Sequence, residues 1–321
     1  MTHSFLLRAV LGGIATAILM MSIVLSPFAL LPGMFIGLGW GLPSAAASLL
    51  VAMLLLGALT DFSLIIATVI TTVLPVLWFV RLALLSRPVE IEGTQSGRVY
   101  YPPDRLIIWA AGISAGLTIL AFLSATGLPG GLPQFLAGNF INNKPLIMEL
   151  ERLYQITLSE EMIRGLTGFM LVVTPLTWML LVLANLQLAQ KLANFFKVNI
   201  RPSPDYDQLT LPENLELVLA ACLFLTLVLD GWWVAMMICL VGLCLTAYFL
   251  LGLAVIHAIS RPWNVRSLIL AALYIMILLT PLMAVPVSII GLIESRFGLR
   301  RRFLGGASDD TSGDSDDGTG N

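Results

Sequence analysis

Nine apolar blocks fill most of the chain, and almost every charged residue lies between them rather than inside them. A membrane-spanning helix needs roughly 20 apolar residues at about 1.5 Å rise each. The blocks 8–26, 28–41, 43–59, 62–80, 106–127, 164–187, 214–230, 232–256 and 267–293 are of that order. Only 11% of the 321 residues are charged, under half of the roughly 25% usual in soluble domains. The mean hydropathy is +0.93. The solvent this composition suits is a bilayer. The expected fold is all-α, a polytopic integral membrane helix bundle with eight or nine segments over residues 1–303, followed by an acidic, disordered tail, 304–321.

Two blocks leave the count open. The stretch 28–41 would reach only about 21 Å as a helix, and Pro281 and Pro286 interrupt 267–293. The leader Met1–Arg8 holds one Arg, and the apolar run behind it exceeds a signal-peptide core. It reads as a retained first helix.

Lys and Arg in short loops report orientation because they resist translocation. Arg81, Arg87, Arg98 and Arg105 stand in the loop 81–105, Lys191, Lys197 and Arg201 in 188–213, and Arg261 and Arg266 in 257–266. The loop 129–163 instead sets Lys144 and Arg152 against Glu149, Glu151, Glu160 and Glu161. The basic loops are therefore expected in the cytoplasm and 129–163 outside. Nine full spans would carry Arg300, Arg301 and Arg302 outside, so a broken or re-entrant last segment is expected, with the tail cytoplasmic.

Within the blocks, Gly33, Gly37 and Gly41 recur every four residues, a spacing that lines one helix face and lets a neighbouring backbone approach. Ala9, Gly13 and Ala17 form a similar face on the first helix, and Gly112 and Gly116 one on the fifth. These faces read as packing surfaces, with docking to a second membrane protein or thin-walled passage for a solute as the functional alternatives. Leu128 to Pro133 is a Gly/Pro turn, and Leu146, Ile147, Leu150, Leu153, Tyr154 and Leu158 share one helical face, as in an amphipathic helix lying along the membrane. Thr157 and Glu160 have capping-box spacing for the next span. The helix from 164 should run on until Arg201-Pro202-Ser203-Pro204, where each Pro removes its predecessor from the α region.

Little here carries chemistry. Asp61 and Asp230 sit at turns between blocks, which interfacial solvation explains. Asn185, Gln187 and Gln190 are the polar cluster inside a block, and Trp178, beside Thr174, Pro175 and Thr177, is the tryptophan set inside a span. Trp178, Asn185 and Gln187 are the expected substrate-binding residues. His3 and His257 have no second ligand at helical spacing, and Cys222, Cys239 and Cys244 lie in apolar runs without metal or disulfide spacing. There is no Walker loop and no Ser/His/acid arrangement. No catalytic residue, metal or cofactor is expected, and the chain does not read as an enzyme. Expected partners are membrane lipids and a membrane or cytoplasmic protein, not nucleic acid; Arg201, Arg300, Arg301 and Arg302 read as topology and lipid anchors at the cytoplasmic face, with docking of a protein partner as the alternative.

Three stretches are more specific. Asn185-Leu-Gln-Leu-Ala-Gln-Lys191 continuing to Arg201–Pro212, Leu251-Gly-Leu-Ala-Val-Ile-His257, and Gly291-Leu-Ile-Glu-Ser-Arg-Phe-Gly-Leu-Arg-Arg-Arg302 together resemble the YybS-like family of predicted bacterial membrane proteins, in its alphaproteobacterial branch. The resemblance implies a bacterial inner-membrane location and a layout similar to the substrate-binding S components of energy-coupling-factor transporters. Those components dock their coupling subunit through a small-residue face on the first helix, which Ala9, Gly13 and Ala17 would match. The function expected is solute binding or transport energised by a separate partner; the alternative is a scaffold that docks proteins at its cytoplasmic face.

Overall fold

A computed structural model of the chain describes residues 2–89, 97–203, 209–300 and 302. Arg301, the acidic tail and the middle of the loops 81–105 and 188–213 lie outside the described residues. The architecture is all-α. In chain order come α1 (Thr2–Met21), α2 (Leu31–Trp40), α3 (Leu42–Gly57), α4 (Phe62–Thr68), α5 (Leu74–Leu84), β1 (Ser86–Val89), β2 (Gly97–Tyr100) and α6 (Pro103–Ser124). Then follow α7 (Gly131–Asn142), α8 (Lys144–Tyr154), α9 (Glu160–Phe195), α10 (Asn214–Val228), α11 (Trp232–Ile259), α12 (Arg266–Leu279) and α13 (Ala284–Phe297). Five helical stretches are long and apolar enough to cross a membrane: His3–Met21, Phe62–Leu84, Pro103–Ser124, Glu160–Phe195 and Trp232–Ile259. The remaining apolar blocks form shorter helices. Large apolar side chains such as Ile18, Leu54, Phe224, Leu227 and Leu278 lie more than half exposed, as a lipid-facing surface allows.

The chain divides into two units, Met1–Pro204 with Asp230–Cys239, and Asp205–Leu229 with Leu240–Asn321. In the first, α2 and α3 fold back on each other around one residue, Gly41, at φ +90°. A side chain at that φ is strained, so glycine permits the single-residue reversal. Gly41 therefore turns the chain rather than continuing the face of Gly33 and Gly37. Those two do lie at a close crossing: a Cβ on Gly37 would sit 2.6 Å from Val80 and 3.1 Å from Ala45, and one on Gly33 3.1 Å from Leu49. At 10 residues, α2 spans about 15 Å, half a bilayer core. Met34, Leu38, Leu49, Val76, Phe79 and Val80 fill the core around it.

Prolines within apolar helices leave carbonyls without their backbone donor, and hydrocarbon offers no water to replace it. Here side chains from neighbouring helices supply the hydrogen. A π turn at Val69–Val73 precedes Pro75, whose missing N–H would have been the α-register donor to Thr71. The Trp178 indole Nε1–H donates to that carbonyl at 3.0 Å. In α9, Pro175 deprives the Leu171 carbonyl in the same way, and Cys239 Sγ–H reaches it at 3.6 Å.

Four features differ from the sequence expectation. The cap of α9 is Ser159, whose Oγ accepts the Met162 N–H at 3.2 Å, not Thr157. The helix ends at Phe195, before the prolines, because Lys197 adopts φ +56° and the N–H groups of Lys197 and Val198 bond back to Asn194 and Ala193, a Schellman closure. The stretch 131–142 forms α7 instead of continuing the Gly/Pro turn, and a β-hairpin pairing Ser86 with Tyr100 occupies part of the basic loop 81–105. The amphipathic helix is α8, capped by the Asn143 side chain at the Leu146 N–H.

In the second unit, α11 and α13 cross backbone to backbone. A Cβ on Gly252 would lie 2.0 Å from the Val287 carbonyl oxygen, and one on Gly291 1.9 Å from that of Tyr248. Ser288 Oγ–H secures the crossing on the Leu245 carbonyl at 3.0 Å. The block 267–293 breaks once, in the 3-10 turn Pro281–Met283. Pro286 falls in the first turn of α13, where N–H groups have no helical partner anyway.

Candidate functional site: a polar recess between α7 and α9

The end of the first unit that carries the acidic loop contains a recess of about 340 Å³. Its construction begins with two left-handed glycines, Gly130 (φ +71°) and Gly131 (φ +63°), which turn the chain from α6 into α7. A Cβ on Gly131 would sit 2.7 Å from the Trp232 ring, so glycine also admits that indole. Trp232 stacks on Phe122 near the end of α6 with centroids 6.1 Å apart, and on Trp233 at 3.9 Å. The turn is thereby held against the bundle.

From this anchored start, α7 presents Gln134, Phe135, Gly138, Asn139 and Asn142 on one face. Leu128 and Pro129 close the recess from the turn, and Arg164 reaches it from the second turn of α9. The Arg164 guanidinium lies 3.8 Å from Glu160 on its own helix, with both side chains more than half exposed. An exposed pair of that kind contributes about 0–1 kcal/mol, so the guanidinium can turn to another anion at little cost. One cation, three carboxamides and an apolar wall make a recess suited to holding a small polar molecule. Among the described residues no group of three His, Cys, Asp or Glu side chains could hold a metal ion.

The residues expected to bind substrate do not converge. Asn185 is buried, and its Nδ2 donates to the Pro27 carbonyl at 2.8 Å and to Leu181 at 2.7 Å. Gln187, two residues on, is exposed, because two helical steps turn a side chain by about 200°. Trp178 bonds the Thr71 carbonyl. Gln190 is spent on Asn194 Oδ1 and the Arg201 carbonyl. These groups tie helices and loops together; they do not form one binding surface.

The expected docking residues are also largely committed within the chain. Ala9 and Ala17 are buried, and a Cβ on Gly13 would lie 2.6 Å from Val51 and 2.7 Å from the Ser48 carbonyl oxygen. The small face of α1 is thus covered by α3 and is not open to a coupling subunit. Arg201 is 5% exposed and donates to the carbonyls of Ala83 and Tyr101. With Tyr100 OH on the Ile200 carbonyl and the Ile200 N–H on Leu38, it locks the segment after α9 onto the ends of α2 and α5. In the second unit, Arg300 closes α13 instead of facing solvent. Its backbone N–H and Nε–H donate to the two oxygens of Glu294 at 3.0 and 2.7 Å, and its Nη2 to the Leu209 carbonyl. Arg302 is exposed. A Cβ on Gly112 or Gly116 would meet nothing within 4 Å, so among the described residues nothing makes the packing expected on that face of α6.

Sequence reasoning missed the recess because Gly130 to Asn143 is too rich in Gly, Pro and Asn to show an apolar period. The available signal was polar: Gln134, Gly138, Asn139 and Asn142 share one helical face. No family model, no curated protein and no solved structure matches this chain.

Proposed function

We propose that the chain is a multi-pass protein of a bacterial inner membrane that binds a solute in the recess between α7 and α9, on the external side. It is not an enzyme in this reading, and transport would draw energy from a separate partner or a gradient, since the sequence holds no nucleotide-binding loop. The observation that carries the reading is the recess itself, polar, open, and lined from α7 and α9 at the acidic end of the first unit. The nine apolar stretches support eight or nine membrane segments, and the basic loops support placing their end in the cytoplasm. With the face of α1 covered by α3, a coupling partner would have to use another surface.

The test is native mass spectrometry of the full chain purified into lipid nanodiscs. A stoichiometric small organic molecule is expected to accompany it. Recovery of proteins only, with no small molecule, would replace this reading by the scaffold. Sidedness is checked by single cysteines: those placed at 135–155 should react with an impermeant thiol reagent in intact cells, and one at Ser203 should not. The reverse pattern inverts the orientation.

A further inference from the structure

Resting on that solute-binding reading, we propose that the recess selects a hydroxylated monocarboxylate of about sugar-acid size, with Arg164 as the carboxylate anchor. Arg164 is the charged side chain among the residues lining the recess. Its planar fork matches a carboxylate bidentately, whereas a neutral solute would leave the guanidinium to Glu160 and a cation would be repelled. Glu160 competes poorly, at 3.8 Å and largely in solvent. One guanidinium balances one carboxylate; a phosphate would carry a further charge that no other lining residue offsets.

The rest of the solute is read by Gln134, Asn139 and Asn142. Each carboxamide both donates and accepts, the complement of hydroxyl groups, which do the same. Their spacing along α7 spreads these contacts over two helical turns, roughly 12 Å for eight residues, enough for a six-carbon chain. The capacity of about 340 Å³ lies at the small end of known ligand sites. A long acyl chain or a dinucleotide does not suit it.

The probes are gluconate, glucose, which lacks the carboxylate, and inorganic phosphate, each titrated onto the full chain in nanodiscs and followed by saturation-transfer NMR. Gluconate is expected to bind saturably and glucose at least tenfold more weakly. Arg164→Gln should weaken gluconate by about tenfold to a hundredfold, the range for losing a charged hydrogen-bonding partner. Arg164→Lys should retain part of the affinity, and Asn139→Ala should lose less than Arg164→Gln. The melting temperature should not change with Arg164→Gln, because that side chain is 55% exposed. Glucose binding as tightly as gluconate, phosphate binding more tightly, undiminished binding by Arg164→Gln, or no saturable gluconate signal each overturns the carboxylate assignment. The solute recovered with the purified protein separates the two levels. A recovered molecule without a carboxylate sinks this inference alone, whereas no recovered molecule sinks the solute-binding reading beneath it.

Discussion

Removing the Trp178 indole hydrogen bond tests how this chain satisfies its own prolines. Pro75 brings no N–H to the Thr71 carbonyl, and Trp178 Nε1 occupies that place at 3.0 Å. The Thr71 hydroxyl cannot substitute, because it donates to Ala67 at 2.8 Å. Trp178→Phe keeps an aromatic ring and deletes the donor. Side-chain hydrogen bonds between helices in membranes average about 0.6 kcal/mol and reach about 1.7. An abandoned carbonyl costs roughly 1–3 kcal/mol where no water can reach it. The expected loss is about 1 kcal/mol, plus a packing loss from the smaller ring. Pro75→Ala restores a backbone donor, so in that background the hydrogen-bond part should vanish while the packing part remains. A double-mutant cycle of unfolding in mixed detergent micelles, followed by circular dichroism, should give a coupling of about 1 kcal/mol. If Trp178→Phe costs the same with Pro75 as with Ala at 75, the indole is not replacing the missing N–H and the account fails.

Three further outcomes follow from contacts in the structure. Gly37→Leu should lower stability by about 1–3 kcal/mol, since its Cβ would already meet Val80 at 2.6 Å; Gly116→Leu, with nothing within 4 Å, should melt like wild type in detergent, and equal melting of both would remove the packing role of α2. Lys197→Gly should raise stability by about 1 kcal/mol by relieving a left-handed residue at φ +56°; a loss would show that the lysine side chain outweighs the strain. Arg300→Gln should cost about 3 kcal/mol by stranding Glu294, whose side chain is 7% exposed. Arg302→Gln should cost under about 0.5 kcal/mol, and similar costs for the two would return Arg300 to a surface role.

The helical architecture was legible in the sequence because composition alone decides which solvent a segment tolerates. Each of the nine apolar blocks contains a helix, the break at Pro281 stands where a missing N–H demands one, and the amphipathic face of Leu146 to Tyr154 became α8. What opposes each face was not legible. The stripe of Ala9, Gly13 and Ala17 has the same spacing whether α3 or another protein covers it. Gly41 continues the count of Gly33 and Gly37 yet reverses the chain, and Gly252 and Gly291, 39 positions apart, reveal their crossing only in three dimensions. Arg201 and Arg300 look like surface cations until segments distant in the chain bring them the carbonyls of Ala83, Tyr101 and Leu209. The donor for Thr71 lies 107 residues away and that for Leu171 lies 68 away. Periodicity along one helix reports which side is small, polar or apolar. Which partner meets that side depends on contacts between helices far apart in the chain, and only the tertiary structure decides those.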